Sequence, residues 1–258
     1  MRKKFINKRK SSIIYNNISL LIVLIITLFV FLYIYLNINR ITSYTLKYIQ
    51  YYSDTYYYNL ENVKISELKH INKNEILKYF TDYLGKSIFL IPINEIALDI
   101  KKNKWIHALK IKSNYRNTLN VLLEEETPLG IYDNNDNKIL FSTNLVILEI
   151  LQNNEEYLNL INFYGNNSIN NSKKLLLNFE KDFIRNINSA IFIENRRWNL
   201  ILDNLIVIKL PEENIKKAII NYNKIYTNLS NQELKDIEII DLRINDKAII
   251  KYKNKNND

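Results

Sequence analysis

The sequence predicts an α+β chain: a single N-terminal transmembrane helix, a small domain of order β-α-α-β-β, then a mixed β domain with flanking helices. Three observations carry that prediction. Ile18 to Leu36 is an uninterrupted apolar run without charge or Pro. Val63 to Glu124 reads as strand, helix, helix, strand, strand. From Ile131 onward, short apolar strands alternate with two amphipathic helical stripes.

The apolar run ISLLIVLIITLFVFLYIYL spans about 28 Å as a helix, the thickness of a hydrocarbon core. Backbone amides in lipid have no water to bond, so the segment is helical. It is too long for a signal peptide, and Asn37-Ile38-Asn39-Arg40 supplies no small-x-small cleavage site. Arg2, Lys3, Lys4, Lys8, Arg9 and Lys10 precede it and hold residues 1–17 in the cytoplasm as a basic tail, which exports the rest. Residues 37–60, rich in Tyr, read as a helical extension or linker near the membrane surface.

Composition excludes several function classes. The chain has no Cys, hence no disulfide and no thiolate chemistry. Its three Gly, Gly85, Gly130 and Gly165, are too few for a glycine-rich phosphate loop. The net charge of +9 is concentrated at the start: eight of the 36 basic residues and none of the 27 acidic ones precede Asp54. The remainder is nearly neutral, which argues against nucleic acid as a partner.

In the first exported unit, Val63 to Leu68 alternates as a short strand. Asn72 or Asn74 caps a helix carrying Ile76, Leu77 and Phe80, which ends at Gly85. Ile93, Ile96, Ala97 and Ile100 form a second helical stripe. Trp105 to Ile111 and Thr118 to Glu124 are strands around a turn at Tyr115-Arg116-Asn117. This order, with Lys104-Trp105-Ile106, Asn117-Thr118-Leu119 and then Glu125, Pro128 and Gly130, resembles a POTRA domain of the FtsQ/DivIB family of bacterial cell division proteins. The family's Pro before Thr-Leu is absent, and Glu67 stands where a Gly is usual.

In the second exported unit, Asp133 to Asn137 link a hairpin. Ile161 to Asn166, with Gly165, resembles the family's Leu-x-Gly step. Ser172 is positioned to cap a helix through Ile187. Ile191-Phe192-Ile193 is a strand, and a second, Ile206 to Leu210, ends at Pro211. A helix runs from Glu212 to Tyr226. Arg196-Arg197-Trp198-Asn199-Leu200, Leu210-Pro211-Glu212 and Asp241-Leu242-Arg243 follow the family's order. The resemblance covers the whole chain and implies domains at 61–132 (POTRA) and 133–258 (FtsQ-type β domain) after the span at 18–36.

No catalytic or metal site emerges, and no cofactor is expected. His70 and His107 lack a nearby third ligand, no Ser sits in a nucleophile elbow, and Glu124-Glu125-Glu126 at a strand end reads as a solvated turn. Arg196 and Arg197 could bind an anion, or brace the sheet by pairing with acids such as Asp241. The last strand, Ala248 to Tyr252, is short, is flanked by Lys247, Lys251 and Lys253, and ends in an aromatic. Such a strand is either a protected edge, a central strand, or an edge that accepts a partner's strand.

The resemblance implies the third reading, with the exported part of FtsB, which comes with FtsL, docking on the strands after Asp-Leu-Arg. Carried over by position, the partner face holds Ile244, Asp246, Lys247, Ala248, Ile249, Ile250, Lys251 and Tyr252, with Arg196 as a further candidate. It also implies contacts with FtsK and FtsW, a place in the inner membrane at the division septum with periplasmic C-terminal domains, and a scaffolding rather than enzymatic role. Two other readings remain open: a membrane-anchored POTRA protein in outer-membrane protein assembly or secretion, and an anchored wall hydrolase.

Overall fold

The computed structural model describes residues 3–152, 155–245 and 247–253, with side chains from residue 19 on. The chain divides into two compact units, one of residues 1–67, 72–100 and 110–122, the other of residues 68–71, 101–109 and 123–258.

The first unit begins with α1, Lys3–Tyr56, one unbroken helix of 54 residues, roughly 80 Å long. Its Ser19–Tyr56 portion is long and apolar enough to cross a membrane, and none of its most apolar window is buried in the protein. The 37–60 region is thus a helical extension as far as Tyr56. Its outer end is clamped. Ser53 and Ser87, both buried, share a 2.7 Å hydroxyl–hydroxyl hydrogen bond, and the Gln50 side-chain oxygen accepts the Ser87 N–H at 2.9 Å.

Strand β1 (Asn62–Ile65) pairs in parallel with β3 (Thr118–Glu125), and β2 (Ile106–Ser113) lies on the other side of β3. A parallel pair needs a crossover, and α2 (Lys73–Lys78) and α3 (Ile93–Ile100) lie within it. Asn72 caps α2 through the Asn74 N–H. Ile76, Phe80, Ile96, Ile100, Leu119 and Val121 are buried. The β2–β3 turn does without the expected Pro: the Asn114 side-chain oxygen accepts the N–H groups of Arg116, Asn117 and Thr118, and Tyr115 takes the left-handed conformation.

The second unit is a nine-stranded mixed sheet. Its strands are β4 (Pro128–Asp133), β5 (Lys138–Ser142), β6 (Ile147–Leu151), β7 (Ile161–Tyr164), β8 (Ile187–Ile193), β9 (Arg197–Leu202), β10 (Val207–Lys209), β11 (Ile237–Asp241) and β12 (Ile249–Tyr252), in spatial order 12-11-10-9-8-7-4-5-6. A domain boundary at residue 132 would fall inside β4, which belongs wholly to this sheet. Helices α4 (Ser168–Leu176) and α5 (Lys181–Arg185) make the crossover between parallel β7 and β8, and α6 (Ile215–Asn228) and α7 (Asn231–Asp236) make that between β10 and β11.

The core lies between one sheet face and these helices. Phe163, Ala190, Leu200, Ile208 and Ile240 form one cross-strand row of it, joined by Leu175, Ile219 and Tyr222 from the helices. A smaller cluster, Ile131, Leu140 and Leu148, is covered by Trp105 and Tyr157.

Two local expectations change. Ser172 caps nothing: it lies inside α4 and its hydroxyl donates to the Ile169 carbonyl, because the helix starts four residues earlier and breaks after Leu176. The acidic triplet is not a solvated turn. Glu125 accepts the backbone N–H groups of Lys69, His70 and Ile71 at 2.7–2.9 Å. Glu126 is only 5% exposed and accepts from Asn144, with His107 beside it at 3.2 Å. His107 is thereby part of a structural cluster, as is His70, which stacks on Trp105.

Burial alone would push the Glu125 carboxyl up, but its three backbone donors outweigh that and hold it below the ordinary glutamate range. A lowered folded value gives stability that is present above the unfolded value of about 4.3 and is lost as the pH falls through the folded one. Glu125→Gln is therefore expected to cost about 1–2 kcal/mol at pH 7, reduced by nearby solvent, and to flatten the melting-temperature decline below about pH 4.5. Thermal unfolding at pH 7 and pH 3.5 checks both.

Candidate functional site

The segment from Ser230 to Lys253 builds one end of the sheet. Ser230 and Glu233 form a reciprocal capping box that starts α7. The chain then enters β11, where a bulge at Ile237/Ile239 lets both Ile237 and Ile240 reach the core at 0% exposure.

Asp241-Leu242-Arg243 closes the strand. The Asp241 carboxylate accepts the Arg243 backbone N–H at 3.1 Å and its guanidinium Nε at 2.8 Å. The Arg243 guanidinium thus holds the Asp241 carboxyl below its ordinary value, against the opposing effect of burial. Leu242 is buried and its N–H donates to the Lys209 carbonyl. The motif is a bend with an apolar plug.

After the bend, β12 returns antiparallel to β11, with Ile249 opposite Asp241, Ile250 opposite Ile240 and Lys251 opposite Ile239. Among the described residues β12 has a neighbour on one side only, which makes it the edge of the sheet. The Lys253 N–H donates to the Asp236 carbonyl at 2.7 Å, and the Lys253 ammonium donates to the Lys235 carbonyl at the end of α7. Main-chain direction alternates along a strand, so Lys251 shares Lys253's inward direction. Ile250 and Tyr252 consequently point their N–H and C=O groups to the open side.

The side chains sort by face. Ala248 and Ile250 pack on the main core and offer a partner only backbone. Ile249 is 55% exposed and Tyr252 47% exposed. Lys251 pairs with Glu238 at 2.7 Å. Ile244 and Lys247 are exposed in the connecting loop. Asp246 lies outside the described residues.

Arg196 is not on this edge. It sits in the β8–β9 hairpin after Glu194 and Asn195, both left-handed, and its guanidinium meets Glu194 at 3.0 Å and Glu212 at 4.0 Å. The register of β9, β10, β11 and β12 puts it at the same sheet end as the Asp-Leu-Arg bend, three strand spacings in, roughly 14 Å. Neither Arg196 nor Arg197 braces Asp241, because the nearer Arg243 takes that carboxylate.

Sequence reasoning missed the bulge, the outward direction of the Ile250 and Tyr252 backbone, and the Lys253 latch on α7. Only the bulge left a trace, in Ile237-Glu238-Ile239-Ile240, where two adjacent Ile break strict alternation.

Residues 58–126 match the family description "POTRA domain, FtsQ-type", and residues 131–243 match "Cell division protein FtsQ/DivIB, C-terminal". The chain is 30% identical over 188 residues to cell division protein FtsQ of Rickettsia bellii (strain RML369-C), an alignment covering 71% of this chain and 70% of that protein. This chain belongs to the FtsQ family. FtsQ of Rickettsia felis (strain ATCC VR-1525 / URRWXCal2) is 31% identical over 164 residues, covering 63% of this chain and 61% of the relative. FtsQ of Agrobacterium fabrum (strain C58 / ATCC 33970) is 26% identical over 196 residues, covering 74% and 60%. The chain thus spans about three-fifths of the length of these last two FtsQ proteins. The FtsQ C-terminal match ends at Arg243, so β12 lies just past it.

Proposed function

We propose that this chain is a non-enzymatic scaffold of the division machinery, anchored by α1 with its N-terminus in the cytoplasm. Its open β12 edge takes up a strand from the exported part of FtsB, accompanied by FtsL. The observation that carries the reading is the position of β12 at the sheet's margin with two residues aiming backbone outward. An added strand would gain main-chain bonds from Ile250 and Tyr252 and would cover Ile249 and the Tyr252 ring. Lys247 adds a cation at the mouth of the edge, and Arg196 meets only a partner long enough to reach across three strands. The POTRA unit and the span would serve further contacts such as FtsK and FtsW, and the assembly would be recruited to the septum.

Depletion of the chain is expected to give filamentous cells. Lys247→Glu combined with Tyr252→Ala is expected to lower FtsB recovery with the full-length chain about ten-fold or more. Unchanged recovery from a normally folded protein would remove the edge from the mechanism and leave the division role to other surfaces.

A further inference from the structure

The second unit holds a cavity of about 510 Å³ between α5, α6 and the β9–β10 turn, a volume within the range of small-ligand sites. Lys216, Ile219, Asn223 and Tyr226 recur along it at helical spacing, so one face of α6 forms its long wall, roughly 15 Å from Lys216 to Tyr226. Because α6 runs back over the sheet between parallel β10 and β11, its last turns lie towards the β9–β10 turn at Asp203 and Asn204.

The floor is aromatic. Phe183 stands edge-on to Tyr222 with ring centres 5.6 Å apart, and Tyr226 lies 5.4 Å from Tyr222. Tyr222 is only 4% exposed, and its hydroxyl has no hydrogen-bond partner among the described residues. A buried phenol ordinarily finds one. Ser168 alone among the described residues has a fully buried side-chain polar atom without a partner, so the Tyr222 hydroxyl is not sealed in. It opens into the cavity that Tyr222 lines. Burial, and Tyr226 beside it, push this phenol above the ordinary tyrosine range, which keeps it a neutral hydroxyl.

The charges at the rim are unequal. Glu180, Asp182 and Asp203 line it against one cation, Lys216. Asp182 meets Arg185 at 3.4 Å, whereas Glu180 and Asp203 have no ion pair among the described residues. The Asn178 amide donates to the Lys174 and Leu175 carbonyls, which leaves its oxygen as a further acceptor. Such a rim repels anions. It does not suit a metal ion either, since no three His, Asp or Glu among the described residues converge.

We infer that this cavity binds an organic cation, a lysine- or arginine-like head on an aliphatic stem. The stem lies on Phe183, Tyr222 and Tyr226, while Asp203 and Glu180 draw the head and the Tyr222 hydroxyl bonds it. The inference is independent of α1 and of the β12 edge.

The test titrates the full-length chain in detergent micelles, by saturation-transfer NMR, with Nα-acetyl-lysine methylamide, its norleucine analogue and cadaverine. The norleucine analogue keeps the aliphatic stem and lacks the ammonium, and is expected to bind at least roughly ten-fold more weakly than the lysine compound. Asp203→Asn with Glu180→Gln is expected to weaken the lysine compound roughly ten-fold, and Tyr222→Phe roughly five-fold, with thermal melts confirming the fold of each. Asp136→Asn with Glu149→Gln removes the same charge elsewhere in the unit and should change binding less than about two-fold. Cadaverine binding as tightly as the lysine compound would identify the ligand as a free amine; weaker binding of cadaverine would place the cation on a peptide. Equal affinity for the norleucine analogue, affinity untouched by the cavity substitutions, an equal loss in the control, N-acetylglucosamine binding in place of the amines, or no binding of the lysine compound would each overturn the proposal.

Discussion

Tyr252→Pro is expected to abolish partner docking at the sheet edge while leaving the fold intact. Proline removes the 252 N–H, which points away from β11, and places a ring where an incoming strand would lie. The strand's own ladder keeps its Lys253–Asp236 bond. Losing one docking bond and adding a clash is worth about 3 kcal/mol, on the order of a hundred-fold in affinity for the exported segment of FtsB. Tyr252→Phe, which keeps backbone and ring, should change affinity less than about three-fold. Lys251→Pro supplies the contrast, since the 251 N–H points inward and its removal should detach β12 from β11. Titration calorimetry together with thermal melts separates the two. Equal affinities for Tyr252→Pro and the parent chain would disprove strand addition at this edge.

The second large effect is on stability. Gly165, between β7 and α4, has φ of +92°, and a Cβ added there would lie 2.2 Å from the Phe192 carbonyl oxygen. The obstacle is backbone of a central strand, which cannot swing aside as a flexible side chain would. Gly165→Ala thus combines an unfavourable φ with a collision and should cost about 3–5 kcal/mol, lowering the melting temperature on the order of 10 °C or more. Gly85→Ala is the control: it shares a positive φ of +79° but has nothing within 4 Å, and should cost only about 1–2 kcal/mol. Similar losses for both would show that the crowding at Phe192 is relieved by local movement.

The difference between these two glycines illustrates what the sequence makes legible. Apolar runs and periodicity located the long apolar helix, the crossover helices and most strands, because burial of one face writes itself into residue order. The chain's scarcity of Gly was also readable, and Asn114, Asn135, Asn195 and Asn214 carry turns or left-handed backbone accordingly. Long-range polar contacts were not. Nothing local to Glu125 shows that its carboxylate will gather three N–H groups from residues 69–71, and nothing local to Ser53 names Ser87. At the candidate site, the resemblance selected a stretch of chain that the structure places at the edge of the sheet. It could not separate residues that present backbone from those that present side chains, since that depends on the β11 register, nor could it show that Arg196 lies three strands inside.

The Ser53–Ser87 and Gln50–Ser87 bonds have a mechanical consequence. With the helix rigidly pinned at its outer end, the first unit cannot swivel freely on a flexible leash. In the proposed membrane-anchored arrangement its altitude over the bilayer would be set by about seventeen residues of rod, roughly 25 Å, and its compass bearing by rotation of the rod about its own axis. Whatever grasps α1 within or just above the lipid would thereby steer which way that unit looks, turning a contact made at one level into an orientation at another.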